Sequence, residues 1–420
     1  MDKGMGLDIK QYEKYLTSRW RVPFGGFLLA LMGGVSYSWG VFIIPLMEKY
    51  NWSKAQATLP FTVFMVVFAI VMVPAGRFQD KAGPRKASMF GSVLFFLAYG
   101  LASLIDRIPS LWWLVITYGI IGGIACGLTY ASVAPPVRKW FPDKPGLAVS
   151  LAVMGFGLSA LLFAPLKVDY LIPFFGINGT FLILAIMTSA FSLVGAWLVK
   201  NPPDGWKPLS KNTGSKIPKR KVIVKGEHTP REMLKTPVFW FIWVTFALVI
   251  AGGFISLGLI TSYGQKTLGL IPLEAAIATS IFAGFNGFGR PVAGYLGDKF
   301  GILWVMNIVY IVQAIILIFF PTFVLDQFSL YIAAAFLGLG FAATLALFPT
   351  LTSICFGTKH LGTNYGLVFT AFGIGAVAPV VGSWLFDITG SFTPAFISAG
   401  IMSAIGVVLT LTLKKKYALQ

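Results

Sequence analysis

Continuous apolar runs, each about as long as a bilayer is thick, recur from one end of this chain to the other. No other feature limits the fold as tightly. Hydrocarbon holds no water to pair with a backbone N–H or C=O. A spanning segment must therefore satisfy its own backbone, as a helix or a closed barrel does. The runs are continuous rather than alternating, which selects helices. Twelve are read, at roughly 22–46, 56–76, 86–105, 111–135, 146–168, 174–199, 238–262, 273–296, 302–322, 328–350, 362–387 and 391–413. Gly and Pro inside them are tolerated in membrane helices. Only 11% of residues are charged and 56% are hydrophobic, a balance that excludes a soluble globular domain. The expected fold is an all-α membrane protein.

The formal net charge of +18 raises nucleic acid as a partner. The basic residues instead fall in alternate loops, and no aromatic–basic recognition motif accompanies them. With both termini cytoplasmic, Lys49, Lys54, Arg107, Lys167 and Lys266 lie on the far side and Arg290 lies inside a span. All the rest of the 33 Lys and Arg are cytoplasmic. That asymmetry sets the orientation and points to a multi-pass protein of the plasma membrane, a bacterial inner membrane. Segment 1–21 is polar, of mixed charge, and lacks a cleavable signal pattern. Segment 414–420 is a cytoplasmic tail.

The chain divides at 200–237. Asn201-Pro202-Pro203-Asp204-Gly205 is followed by a basic run around Lys219-Arg220-Lys221, which reads as a solvated linker. Thr229-Pro230-Arg231-Glu232 then has the N-cap, N1 proline and N3 glutamate of a capping box, so a short surface helix is expected. Six spans precede the linker, in 22–199, and six follow it, in 238–413. The two halves repeat: Gly76, Asp80, Lys81 and Gly83 recur 218 residues later as Gly294, Asp298, Lys299 and Gly301. Two joined repeats of this kind indicate a pseudo-symmetric transporter with its site between them.

The same offset sets Phe68 against Asn286 and Met72 against Arg290. One half presents an apolar wall and the other a cation, which suits a small amphipathic anion. A lone arginine in hydrocarbon costs about 3 kcal/mol on insertion scales, so something must offset Arg290. Asn286 lies one turn earlier on the same helix face, and the pair can present a guanidinium fork and an amide to one carboxylate. Two alternatives stand beside an anionic ligand. Arg290 can snorkel towards the nearer membrane face, or pair with a backbone carbonyl between helices.

Gly76-Arg77-Phe78-Gln79-Asp80-Lys81-Ala82-Gly83-Pro84-Arg85-Lys86 resembles the loop 2–3 signature of the major facilitator superfamily. The resemblance runs over nearly the whole chain. It implies twelve helices in two six-helix halves. It also implies that Arg77, Asp80 and Arg85, with the motif positions Gly76, Gly294 and Asp298, latch helices or gate rather than bind substrate. Glu232-Met233-Leu234-Lys235-Thr236-Pro237-Val238-Phe239-Trp240 and Trp140-Phe141-Pro142-Asp143-Lys144-Pro145-Gly146 are similar to segments of the oxalate/formate and monocarboxylate transporters. Arg290-Pro291 matches the substrate-binding arginine of that branch.

Two departures refine the expectation. Oxalate carriers have a lysine where Phe372 stands here, so a dicarboxylate would lose its second cation. Animal monocarboxylate carriers have an aspartate four residues before the arginine and a lysine in the first helix. This chain has Asn286, and Tyr37 or a neighbour, neither of which relays a proton at neutral pH. By resemblance Tyr130 donates a hydroxyl to the carboxylate, Tyr37 lies nearby, and Phe156, Phe341 and Phe372 line the site. Packing between helices is the plainer reading of each, with a tyrosine hydroxyl on a backbone carbonyl.

Asp169, Glu274 and Asp387 fall near far-side span ends, and His228 and His360 in cytoplasmic segments. Cys126 and Cys355 lie in apolar runs. No metal spacing, phosphate loop or Ser-His-Asp grouping is present, so no metal, cofactor or enzymatic activity is expected. The function expected is symport of a small monocarboxylate, lactate or pyruvate, with H+, by a monomer working through alternating access. An organic-anion exchanger and a non-transporting anion receptor are the alternatives.

Overall fold

A computed structural model describes residues 9–203, 206 and 226–417. The basic run Lys219-Arg220-Lys221, like Asp204 and Gly205, lies outside the described residues. Each expected span is a helical pass. In chain order they are α1 (Arg21–Gly33, a 3-10 stretch Gly34–Ser38, and Gly40–Tyr50), α2 (Lys54–Ala82), α3 (Pro84–Ala102), α4 (Leu111–Leu114, Val115–Ile121 and Gly122–Ala131), α5 (Pro145–Pro165, continued by a π-helical stretch Leu166–Leu171) and α6 (Ile172–Leu198). The second half has α7 (Pro237–Lys266), α8 (Pro272–Phe300), α9 (Ile302–Ile318), α10 (Gln327–Phe356), α11 (Leu361–Gly375 and Ala378–Thr389) and α12 (Thr393–Tyr417). There is no strand among the described residues.

Eight helical stretches are by themselves long and apolar enough to cross a membrane, and α1, bent by 44°, makes a ninth. One of the eight, Pro145–Leu198, is two passes turned at Gly176, whose φ is 64°. α8 is diluted by Asn286, Arg290, Asp298 and Lys299, and α9 has only 17 residues. α2 and α8 run past the ends that hydropathy sets for them. What stops each is a glycine with positive φ, Gly83 (89°) and Gly301 (99°), at the same point of the repeat.

The halves meet mainly through α2 against α11 and α5 against α8. On the face that carries the termini, each contact ends in the same device. Asp80 of α2 accepts from the amides of Gly362 (3.0 Å) and Thr363 (2.8 Å), the first turn of α11. Asp298 of α8 accepts from those of Gly146 (2.9 Å) and Leu147 (2.8 Å), the first turn of α5. A carboxylate at a helix N-terminus satisfies amides with no intrahelical partner and meets the positive end of the dipole. The backbones approach closely because the residues there are small: a Cβ on Gly294 would run into the Gly146 carbonyl, and one on Gly76 into that of Gly362. Arg138 adds a third link, its Nε donating to Ser353 Oγ at 2.8 Å. This face of the bundle is closed.

The linker re-enters at Gly226. The expected capping box is present: the Thr229 amide donates to Glu232 Oε2 (2.8 Å) and the Glu232 amide to Thr229 Oγ1 (3.3 Å), opening the helix Pro230–Leu234. Those bonds from Thr229 hold the Glu232 carboxyl below its usual range. Glu227 and His228 tie this segment to the α10–α11 turn through Lys359 N–H···Glu227 Oε2 (2.7 Å) and His228 N–H···Phe356 O (3.0 Å).

Candidate functional site

Away from the closed face, the halves part around a cavity of about 480 Å³. Its walls are apolar stretches of α1, α2, α5, α7, α8 and α11. Tyr37, Thr62, Thr279 and Asn286 are its main polar lining. The closed end lies towards Arg290, one helical turn beyond Asn286 on α8.

Arg290 is fully buried. Gly287 and Gly157 let α8 and α5 come together below the cavity, a Cβ on Gly157 falling 2.8 Å from Gly287 Cα. The guanidinium then reaches across the halves. Its Nη1 donates to the Val153 carbonyl of α5 at 2.7 Å and its Nη2 to Asn286 Oδ1 at 3.2 Å, while its Nε–H finds no acceptor. The backbone-carbonyl alternative is therefore present, but it uses one of five N–H donors and supplies no charge. Among the described residues no carboxylate pairs with Arg290. An ion taken out of water costs several kcal/mol unless another charge offsets it, so this site is one negative charge short.

The other expected residues gather here. The charge of Arg290 acts on the hydroxyls of Tyr37 and Tyr130. Tyr37 lines the cavity, and its hydroxyl is buried without a hydrogen-bond partner. Tyr130 does not rest its hydroxyl on a backbone carbonyl; it lies beside Arg290 and Tyr365. Phe156 joins the two tyrosines, with ring centroids 4.8 Å from Tyr37 and 5.3 Å from Tyr130. Phe68, the repeat counterpart of Asn286, bridges the halves, 5.9 Å from Phe156 and 6.1 Å from Phe372. Phe341 is one ring further out, reached through Phe254, which is 5.1 Å from both Phe341 and Phe372. Tyr37 and Asn286 line the cavity; Arg290, Tyr130, Phe156, Phe341 and Phe372 are buried behind that lining.

Of the motif residues, Gly76, Asp80, Gly294 and Asp298 make the closed face already described. Arg85 donates from Nη2 to the Trp197 carbonyl of α6, and Arg77 is exposed. Asp169 and Asp387 are exposed, and Glu274 accepts from its own Ile271 amide at 3.2 Å. No group of three or more possible metal ligands occurs among the described residues.

Two residues escape the sequence reading. Tyr365 is buried, with its hydroxyl beside Tyr130 and within the field of Arg290. Lys167 is a correction. The hydropathy profile puts it in a far-side span end and leaves Arg290 as the one cation inside a span, yet Lys167 is buried to 1% exposure. The cause is local. α5 does not end there but continues with π-helical geometry, and the 3-10 break in α1 offers acceptors beside it: Val35 O at 3.2 Å and Ser38 Oγ at 2.7 Å.

Comparison with known proteins agrees with this architecture. The family model described as Major Facilitator Superfamily matches residues 24–378 and again 266–418. The oxalate:formate antiporter of Oxalobacter formigenes is 30% identical over 85% of this chain and 82% of its own length. Monocarboxylate transporter 13 of Bos taurus is 27% identical over 93% and 89%. The crystal structure of a variant of the E. coli fucose:proton symporter FucP superposes with a TM-score of 0.68 at 14% identity, covering 93% of this chain and 97% of that one. The chain belongs to the Major Facilitator Superfamily, on the branch shared by the oxalate:formate antiporter and the monocarboxylate transporters, and is a membrane transporter rather than an enzyme.

Proposed function

We propose that this transporter carries a small monocarboxylate, lactate or pyruvate, together with H+, by alternating access. One observation carries the reading: a fully buried arginine with no carboxylate partner among the described residues, at the closed end of a cavity between the halves. One carboxylate supplies the missing charge. Arg290 and Asn286 bind it, Tyr130 and Tyr37 donate hydroxyls, and Phe156, Phe341 and Phe372 enclose the short carbon chain. A second carboxylate would face Phe372 rather than a cation, which disfavours oxalate. The names of the relatives, an oxalate:formate antiporter and a monocarboxylate transporter, support small organic anions as the class.

Arg77, Asp80 and Arg85, with Asp298, act in gating, and the closed face opens as the halves rock. The protein works as a monomer in the plasma membrane with both termini cytoplasmic, so the cavity faces outward here. The test is uptake of labelled L-lactate into proteoliposomes, with and without an inward proton gradient. Accumulation that follows the gradient, stops with a protonophore and is lost in Arg290→Ala is the expected result. Uptake that ignores the gradient but needs an internal anion would make the protein an exchanger. Normal uptake by correctly inserted Arg290→Ala would sink the site.

A further inference from the structure

We infer that Lys167 is the residue that picks up the co-transported proton. The inference rests on the symport reading above and names the group it lacks. A symporter needs a base that can gain a proton within the membrane. Arg290 never gives its proton up, and the buried tyrosines and cysteines already hold theirs in the neutral state. Among the described residues, Lys167 is the remaining fully buried ionisable side chain.

Its surroundings suit a change of charge. Nζ is held by Ser38 Oγ at 2.7 Å and Val35 O at 3.2 Å and lies 5.0 Å from the centre of the Phe42 ring. These two acceptors take two N–H bonds, which the neutral amine and the ammonium both possess. Among the described residues no carboxylate fixes the charged form. On α1 the ionisable groups are exposed Arg21 at its start, Tyr37, exposed Glu48, and Lys49 and Tyr50, the last two occupied by Asp106. Asp169 and Tyr170, on the turn of Lys167 itself, are exposed, and α6, packed against that turn, has no ionisable side chain. Ser38 directly follows Tyr37, which lines the cavity within the field of Arg290. The amine is thus one residue removed from the substrate's path.

The step is a plain proton transfer. The amine lone pair forms an N–H bond to a proton delivered by water on the open side and returns it on the other, with no redox change. It also accounts for coupling. The empty carrier holds Arg290+ and a neutral amine; the loaded carrier holds Arg290+, the ammonium and the anion. Both move the same net charge, whereas either half-loaded form differs by one unit inside the membrane, where charge is costly. Empty and fully loaded carriers exchange faces, and half-loaded ones do not.

The experiment compares wild type, Lys167→Arg, Lys167→Met and Ser38→Ala in proteoliposomes. It reads L-lactate accumulation under a one-unit proton gradient, and counterflow against pH. Wild type should accumulate about ten-fold, the limit for one proton per anion. Lys167→Arg, permanently charged, should keep counterflow, lose gradient-driven accumulation and show a flat pH profile, whereas Lys167→Met, whose loaded form carries the charge of the half-loaded carrier, should lose both counterflow and accumulation. Ser38→Ala keeps the amine but removes a partner, and should move the midpoint of the profile. Accumulation by Lys167→Arg equal to wild type overturns the inference alone. If neither lysine variant inserts, an unmoved midpoint in Ser38→Ala overturns it. A wild type that does not follow the gradient removes the symport reading and this inference with it.

Discussion

The two halves of the molecule are alike at the closed face and unlike at the membrane centre. Asp80 and Asp298 sit 218 residues apart and perform one task, each capping a helix of the opposite half. About two to three turns away along the same helices, Met72 and Phe68 stand where the second half has Arg290 and Asn286. The repeat supplies a symmetric frame at the closed face, and the polar side chains that one half alone has at these positions break that symmetry at the centre. The two latches lie on one face and together favour the state in which that face is shut, while the centre between the halves is asymmetric.

The comparison breaks first at Arg290. Replacing it with Lys keeps the charge but loses the planar fork, and kcat/KM for L-lactate should fall by roughly 100-fold. The mirror change Met72→Leu should stay within about two-fold, because volume and polarity persist. Equal losses at both positions, in initial uptake rates normalised to inserted protein, would deny that the centre is asymmetric. A milder challenge adds a cation: Phe372→Lys should raise oxalate uptake by roughly ten-fold relative to lactate, measured by competition. No shift would remove Phe372 from the substrate's surroundings.

At the closed face the test is equality. Asp80→Asn and Asp298→Asn should each weaken closure by about 0.5–1 kcal/mol, the scale of a negative charge at a helix N-terminus. Spin-label distances between the halves on that face should then show the same increase in the open population for both. A large difference would mean the two latches do not share the work. The smallest effect is expected at Tyr130→Phe, which removes one hydroxyl and should raise KM by about three- to ten-fold with kcat little changed.

Most of this frame is legible in the sequence because bilayer thickness, the repeat offset and the intramembrane charge are all local properties of the string. Arg290 stands out through hydropathy alone, and Asn286 follows from helical spacing. The aromatic cluster is less legible. Phe68, Phe254 and Phe369 come from three helices, and nothing in their neighbourhoods separates them from packing residues until the helices are assembled. Tyr365 is hidden the same way. Lys167 misleads because a lysine at a span end usually reaches the interface. Its burial depends on a π-helical turn in one helix and a 3-10 break in another, neither of which has a reliable signature in composition.

The latch at the closed face has donors of an unusual kind. Asp80 and Asp298 hold main-chain amides at Gly362, Thr363, Gly146 and Leu147. Any residue except proline provides that amide. The donor half of the lock therefore asks for room rather than for side-chain chemistry. Substitution at Thr363 or Leu147 can change the side chain without deleting the amide, but a Cβ on Gly362 or Gly146 would strike the carboxylate it serves, so the lock's genetic vulnerability is shared between the two aspartates and the two glycines.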